Sequence, residues 1–203
     1  DFGFDIEVIN SGIQGADSNT ESNLIEQKLV RFSPDLIIIY DGWNDLRANN
    51  APMEVKENWE TICKFGKEND FDVIITLQPI AGFGNKVLTK QELKYAHSGE
   101  DYTNNPLIES SSIYKNYAKN LSEIKMCTKT IDMRDVFDTE MRPIYWDQGH
   151  VSDKGNSIVA KSLFNTVFSI VSENYGFSIF ETEKDIKKTS SLLYDDREIV
   201  VTV

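Results

Sequence analysis

The residues best equipped for chemistry are Asp147 and His150, in the run Asp147-Gln148-Gly149-His150-Val151-Ser152-Asp153-Lys154-Gly155-Asn156. Histidine changes charge near neutral pH, so its ring can take up a proton and give it back. A carboxylate three positions upstream can receive one ring N–H and leave the other nitrogen facing a substrate. His150 is one of only two histidines. The other, His97, lies in Tyr95-Ala96-His97-Ser98-Gly99 and reads as a solvated loop residue. Taken alone, an Asp beside a His in a surface loop is an ordinary feature.

Two further stretches fit the same task. Asn10-Ser11-Gly12-Ile13-Gln14-Gly15-Ala16-Asp17-Ser18 places two glycines where a strand gives way to a helix. Glycine lets backbone approach a ligand and point N–H groups at it. The helix start adds positive dipole character at the same place. This suits a phosphate or an oxyanion equally, and a tight turn without a ligand needs the same residues. The spacing is neither the Gly-x-Gly-x-x-Gly of dinucleotide folds nor a lysine-bearing P-loop. Asp41-Gly42-Trp43-Asn44-Asp45 closes another strand with polar side chains. Asn44 can donate a side-chain N–H to a developing negative oxygen, although an Asx turn or helix cap is the plainer use. Trp43, Phe83 and Tyr95 are candidates to line a pocket, with core or rim packing the more ordinary role of each.

The elements that must position these residues follow from hydrophobic periodicity. Strands are expected at residues 5–10, 35–40, 72–77 and 128–133. Helices are expected at about 20–32, 53–68, 106–125 and 152–173. Residues 41–52 read as polar loop, and 80–105 as a long irregular connection of the kind that is often functional. The runs at 35–40 and 72–77 are almost continuously apolar, as in strands covered on both faces. Alternating strands and helices imply βαβ units, right-handed crossovers and a mainly parallel sheet in a three-layer α/β/α domain. Sites in such folds gather at the carboxyl ends of strands, and all three stretches lie there. This domain is expected to occupy residues 1–174. Residues 175–203 form a C-terminal extension whose strand-like 197–203 reads as either an added edge strand or a segment that pairs with a partner.

The totals set outer limits. The 203 residues suffice for one domain with a substantial core. A net charge of −12 argues against a nucleic-acid backbone or an anionic membrane as partner. The segment 158–171 is interrupted by Lys161 and Asn165, and no run is apolar and long enough to span a bilayer. Two cysteines do not make a disulfide framework. Cys63 reads as a buried helix position, Cys127 as lying just before a strand. No Cys/His cluster has metal-ligand spacing, so neither a metal nor another cofactor is expected. The chain begins on Asp1-Phe2-Gly3 without a methionine, and is expected to be N-terminally incomplete, so the compartment stays open.

The three stretches together, in this order, resemble the SGNH (GDSL-type) hydrolase family of esterases and lipases, with its flavodoxin-like fold. Residues 10–18 look like its second block and Gly42-x-Asn44-Asp45 like its third. Asp147-x-x-His150, with Ser152 and Gly155-Asn156 behind it, looks like its fifth. The resemblance covers about residues 5–172. It implies that His150 is the general base for a serine nucleophile and that Asp147 orients its ring. It further implies that the backbone N–H of Gly15 and the side-chain amide of Asn44 form the oxyanion hole. The family's first block, Gly-Asp-Ser, carries the nucleophile, and it has no counterpart here. Ser18 only superficially resembles it, since it sits in the second-block loop and opens a helix, and Ser11 has no support. The missing unit is a strand and helix on the order of 30 residues. Its strand is internal to the family's sheet, so a gap between neighbours is expected.

The resemblance therefore implies a serine hydrolase of the esterase class acting on an O-acyl ester of a carbohydrate or lipid. The chain by itself is expected to be inactive for want of the nucleophile. The alternative is a non-catalytic module on the same fold that binds a glycan or a protein. A flavodoxin-like nucleotide binder is the third option, because fold alone does not give function. The substrate would be a small molecule or a glycan, and the oligomeric state is open.

Overall fold

The computed structural model describes residues 6–98, 107–175 and 199–202. Its centre is the pair β2 (Leu36–Asp41) and β3 (Asp72–Leu77). These run in parallel from Leu36 opposite Asp72 to Asp41 opposite Leu77. β4 (Lys129–Asp132) continues the sheet beside β3, with Ile74 opposite Lys129. The side chains of β2 alternate between two cores, which is why its sequence is apolar throughout. Ile37 and Ile39 join Val55, Trp59 and Ile62 of α3 (Pro52–Glu68) and Tyr114, Tyr117 and Leu121 of α5 (Ser111–Glu123). Leu36 and Ile38, with Ile74, face Leu163, Val167 and Ile170 of α6 (Asp153–Tyr175) on the opposite side. Fully burying each such side chain contributes about 1.5–3 kcal/mol, so these two layers carry most of the stability. The result is a three-layer α/β/α fold with a parallel sheet, as expected.

Local chemistry sets the helix boundaries. The predicted helix at 20–32 starts two residues earlier, as α1 (Ser18–Leu24). Asp17 caps it, its carboxylate accepting the Thr20 N–H at 2.9 Å. The helical path then continues through a π turn and a 3₁₀ turn to Phe32. Pro52 opens α3 from the first helical position, where its missing N–H costs nothing. Pro106, expected to open a helix, lies outside the described residues; α5 itself begins at Ser111, after a 3₁₀ turn at Ile108–Ser110.

Two predicted loops contain helices. α2 (Trp43–Ala48) occupies part of the expected polar loop 41–52. It is too short to show helical periodicity, and its ends are set by left-handed residues, Gly42 at φ 113° and Asn49 at φ 58°. α4 (Lys90–Ser98) lies inside the expected irregular stretch 80–105. Its inward residues include Ala96 and the carboxylate of Glu92, neither of which signals an apolar stripe.

The sheet order is β1-β5-β2-β3-β4, with every pairing parallel. β1 is Ile6–Ile9 and β5 is Ile199–Thr202. The C-terminal strand is therefore interior, neither at the edge nor on a partner. It stands between β1 and β2, where the resemblance implied a gap. Along β1 it pairs from Ile6–Ile199 to Ile9–Thr202, whereas along β2 it pairs only at Leu36 and Ile37.

The cysteines require a correction. Cys63 is buried on α3 and Cys127 lies just before β4, as expected, but the two are joined in a disulfide across a sequence separation of 64. The later part of α3 and the approach to β4, remote in sequence, come within 4.8 Å, Cα to Cα. Sequence spacing carries no information about that approach.

Candidate active site

His150 and Asp147 sit on one small turn. A bridge between Tyr145 and Val151 and the bond from Trp146 N–H to His150 O, at 2.9 Å, close it. Within it, Asp147 uses both carboxylate oxygens. Oδ1 accepts the backbone N–H groups of Gly149 at 2.8 Å and His150 at 2.7 Å. Oδ2 lies 2.6 Å from Nδ1 of His150. The carboxylate is buried, while the His150 side chain is 59% exposed. An ionised carboxylate fixed by two backbone donors can hold an imidazole in one orientation and favour the proton on Nδ1.

The turn is fastened to the carboxyl end of β3. Ala81 N–H donates to Gln148 O at 2.8 Å, and Gln78 Nε2 donates to Gly149 O at 3.1 Å. The Oε1 atom of Gln148 accepts the Leu107 N–H at 3.1 Å. Just upstream, the buried Glu92 carboxylate accepts the N–H groups of Ile144 at 2.8 Å and Tyr145 at 3.1 Å. Lys86 pairs with its other oxygen at 3.2 Å. Burial pushes the Glu92 carboxyl up, yet the backbone donors at Ile144, Thr89 and Tyr145 outweigh it and hold it below the ordinary glutamate range.

Trp43, the first residue of α2, forms the floor. Its ring meets that of His150 edge-on, centroids 4.7 Å apart and planes at 89°. A Cβ on Gly149 would stand 2.3 Å from the same indole, so only glycine lets the turn lie on it. The adjacent Asn44 donates from Nδ2 to Ala16 O at 2.8 Å. Gly15, at φ 77°, precedes that acceptor in an exposed turn closed by Ala16 N–H to Ile13 O. No heavy atom comes within 4 Å of where its Cβ would be, so the requirement for glycine there is conformational rather than spatial. A short chain of contacts thus links the four residues singled out in the sequence: His150 with Asp147, His150 on Trp43, and Asn44 beside Trp43 bonded next to Gly15.

The candidate serines are placed differently. Ser18 is fully buried; its hydroxyl donates to Asp45 Oδ1 at 2.7 Å and accepts from Asn58 Nδ2 at 3.0 Å. Its N–H donates to the other oxygen of Asp45 at 2.9 Å. It anchors α1 to α2. Ser11 lines a cavity beside β2. His97 is exposed on α4. Phe83 packs edge-on against Tyr114, and Tyr95 is partly buried against a small cluster around Phe137. Sequence reasoning missed Gln78 and the Lys86–Glu92 pair. Gln78 had one signal, a polar residue between a strand and Pro79; the ion pair had none, since five intervening positions hide it.

Among the described residues, no three His, Cys, Asp or Glu side chains gather as a metal site would require. Carboxyl groups do cluster beneath the glycine loop. Asp41, buried at the end of β2, accepts from Trp59 Nε1 at 2.9 Å. Burial, and then Asp45, push its carboxyl well above the ordinary aspartate range. Glu21 is pushed the same way by burial and by Asp41, Asp45 and Asp17.

No protein-family model and no curated relative matches the sequence. Solved structures do match the fold. The acetyl xylan esterase AlAXEase is 19% identical, with a TM-score of 0.52, covering 79% of this chain and 81% of its own. A proposed acylhydrolase of Bacteroides fragilis NCTC 9343 is 16% identical, with a TM-score of 0.60 and coverage of 80% and 75%. A GDSL-like lipase of Bacteroides thetaiotaomicron VPI-5482 is 17% identical, with a TM-score of 0.51 and coverage of 80% and 76%. The chain has an SGNH/GDSL hydrolase-like fold.

Proposed function

We propose that the chain carries the base and oxyanion half of an ester hydrolase, acting on an O-acyl ester through a serine that these 203 residues do not supply. The observation that supports it best is the 2.6 Å contact between Asp147 and His150 Nδ1, set on Trp43 beside Asn44. In the reaction, Nε2 of His150 takes the serine hydroxyl proton as Oγ bonds to the acyl carbon. The carbonyl oxygen becomes the oxyanion, which accepts the Gly15 N–H and a second N–H of the Asn44 amide. The proton then passes to the departing alcohol oxygen, and water releases the acyl group by the same route. Asp147 positions the ring and offsets its charge. The alcohol half is a carbohydrate or a lipid, since the fold is shared with an acetyl xylan esterase and with a GDSL-like lipase alike.

The competing reading is a non-catalytic glycan- or protein-binding module on the same fold, in which Ser18, engaged by Asp45 and Asn58, has only a structural part. Kinetics separate the two. With p-nitrophenyl acetate, the 203-residue chain should turn over no faster than its His150→Ala variant. A protein that also carries the Gly-Asp-Ser block should hydrolyse the ester, and should lose that turnover on His150→Ala. There, Asn44→Ala should lower kcat about a hundred- to a thousand-fold. Turnover unchanged by His150→Ala would remove His150 as the base, and absent turnover in that longer protein would leave the binding module.

A further inference from the structure

Trp43 and Trp59 are buried, whereas Trp146 is 65% exposed. A lone exposed apolar side chain is ordinary, but the backbone beneath this one is firmly held. Its neighbours Tyr145 and Asp147 are both buried, and its N–H donates to His150 O at 2.9 Å. Ser152 N–H donates to Ile144 O at 2.7 Å, so Tyr145 and Val151 stand opposite each other in an antiparallel pair. Side chains alternate between the two faces of such a pair. Tyr145 and Val151 share the inward face and pack in one cluster. Trp146 and His150 therefore emerge together on the outward face, their Cβ atoms about 5 Å apart, as in other directly opposite pairs. The imidazole thus has a buried tryptophan, Trp43, against it and an exposed one beside it.

We propose that Trp146 is a stacking platform for a pyranose ring, which, resting on the hydrolase reading above, narrows the alcohol half of the ester to a carbohydrate. The C–H groups on one face of a pyranose form a flat apolar patch ringed by hydroxyls. That patch suits the electron-rich face of an exposed indole, while the hydroxyls stay in water. A lipid chain has no polar rim and is held by apolar walls that enclose it. Trp146 and His150 are both exposed on one turn, which offers a single flat wall and no enclosure. The buried neighbours fix the Trp146 backbone, so little ordering remains to oppose binding. The indole contacts the sugar and none of the reacting atoms, so it sets which ester is held beside His150 and takes no part in the proton transfer.

Binding can be measured on the 203-residue chain without turnover. The probes are the mono-O-acetyl esters of methyl β-D-glucopyranoside and, as the lipid counterpart, hexyl acetate. Saturation-transfer NMR should show magnetisation passing from the protein to the C–H protons of the pyranose ring. Trp146→Ala should weaken this binding about ten-fold and Trp146→Phe by less. Both variants should keep the parent's melting curve, because the side chain they alter is exposed. Absent transfer to the ring protons in the parent overturns the platform, and so does transfer that is equal in Trp146→Ala. Transfer to hexyl acetate alone overturns it in favour of a lipid. A parent that sediments as a dimer, with Trp146→Ala a monomer, overturns it in favour of a second copy seated on the indole. Sugar binding that depends on Trp146, together with absent turnover in the protein that also carries the Gly-Asp-Ser block, upholds the platform and removes the hydrolase reading.

Discussion

Asp147 is held at both carboxylate oxygens, by the backbone N–H groups of Gly149 and His150 and by His150 Nδ1. Glu21 is the contrasting carboxyl. Burial first, then the nearby Asp41, Asp45 and Asp17, raise its folded-state pKa above that of the unfolded chain. A raised acid binds its proton more tightly when folded, so its contribution to stability is fully present below about pH 4.5. That contribution is lost as pH rises through the folded value. Glu21→Gln should therefore be more stable than the parent chain at pH 8 and lose this advantage near pH 4, in urea titrations at the two pH values. Asp41 titrates in the same sense, so the variant should keep a residual decline with rising pH. At this scale the sequence was informative where chemistry is local. Asp147 and His150 lie three apart, and their contact needs only one turn. Asn44 and Ala16 lie 28 apart, and the sequence offered their types but not their bond.

Among the elements, the turn bearing His150 has no extensive core of its own, and its position depends on what clamps it. Glu92 on α4 is that clamp, receiving two backbone N–H groups at 144–145 and the ammonium of Lys86. Its side chain is 1% exposed and that of Lys86 is 4% exposed. Glu92→Ala would leave a buried cation and two buried donors unpaired, which should cost about 3–5 kcal/mol. A fall of that size in the urea unfolding free energy, with the double variant Glu92→Ala/Lys86→Met recovering part of it, is the expected result. β2, β3 and the long helices were legible because each sustains one period over several residues. α2 and α4 were not, because six residues cannot display a helical period and because α4 turns an ion pair inward instead of an apolar stripe.

For the molecule as a whole, two long-range links decide how the layers hold together. The Cys63–Cys127 disulfide ties α3 to the start of β4 across 64 positions. Closing a loop of that length should contribute about 3–5 kcal/mol. A urea midpoint measured with dithiothreitol should fall accordingly, while a Cys63→Ser variant should show no further response to reductant. Such bonds persist in oxidising compartments. The other link is β5, whose place no sequence period could announce, because four apolar residues read alike at an edge, in an interior slot or on a partner. It sits in mid-sheet although it follows β2, β3 and β4 in the sequence. β1 therefore waits through nearly the whole chain for its neighbour, and the pairing closes a loop from Ile6 to Ile199. On a ribosome, the early strand would emerge with its hydrogen-bonding groups bare and stay so until synthesis had passed residue 202. Contacts so far apart in sequence make folding slow, and for this chain the interval before the sheet seals is when capture by another strand, including one from a second nascent copy, competes best.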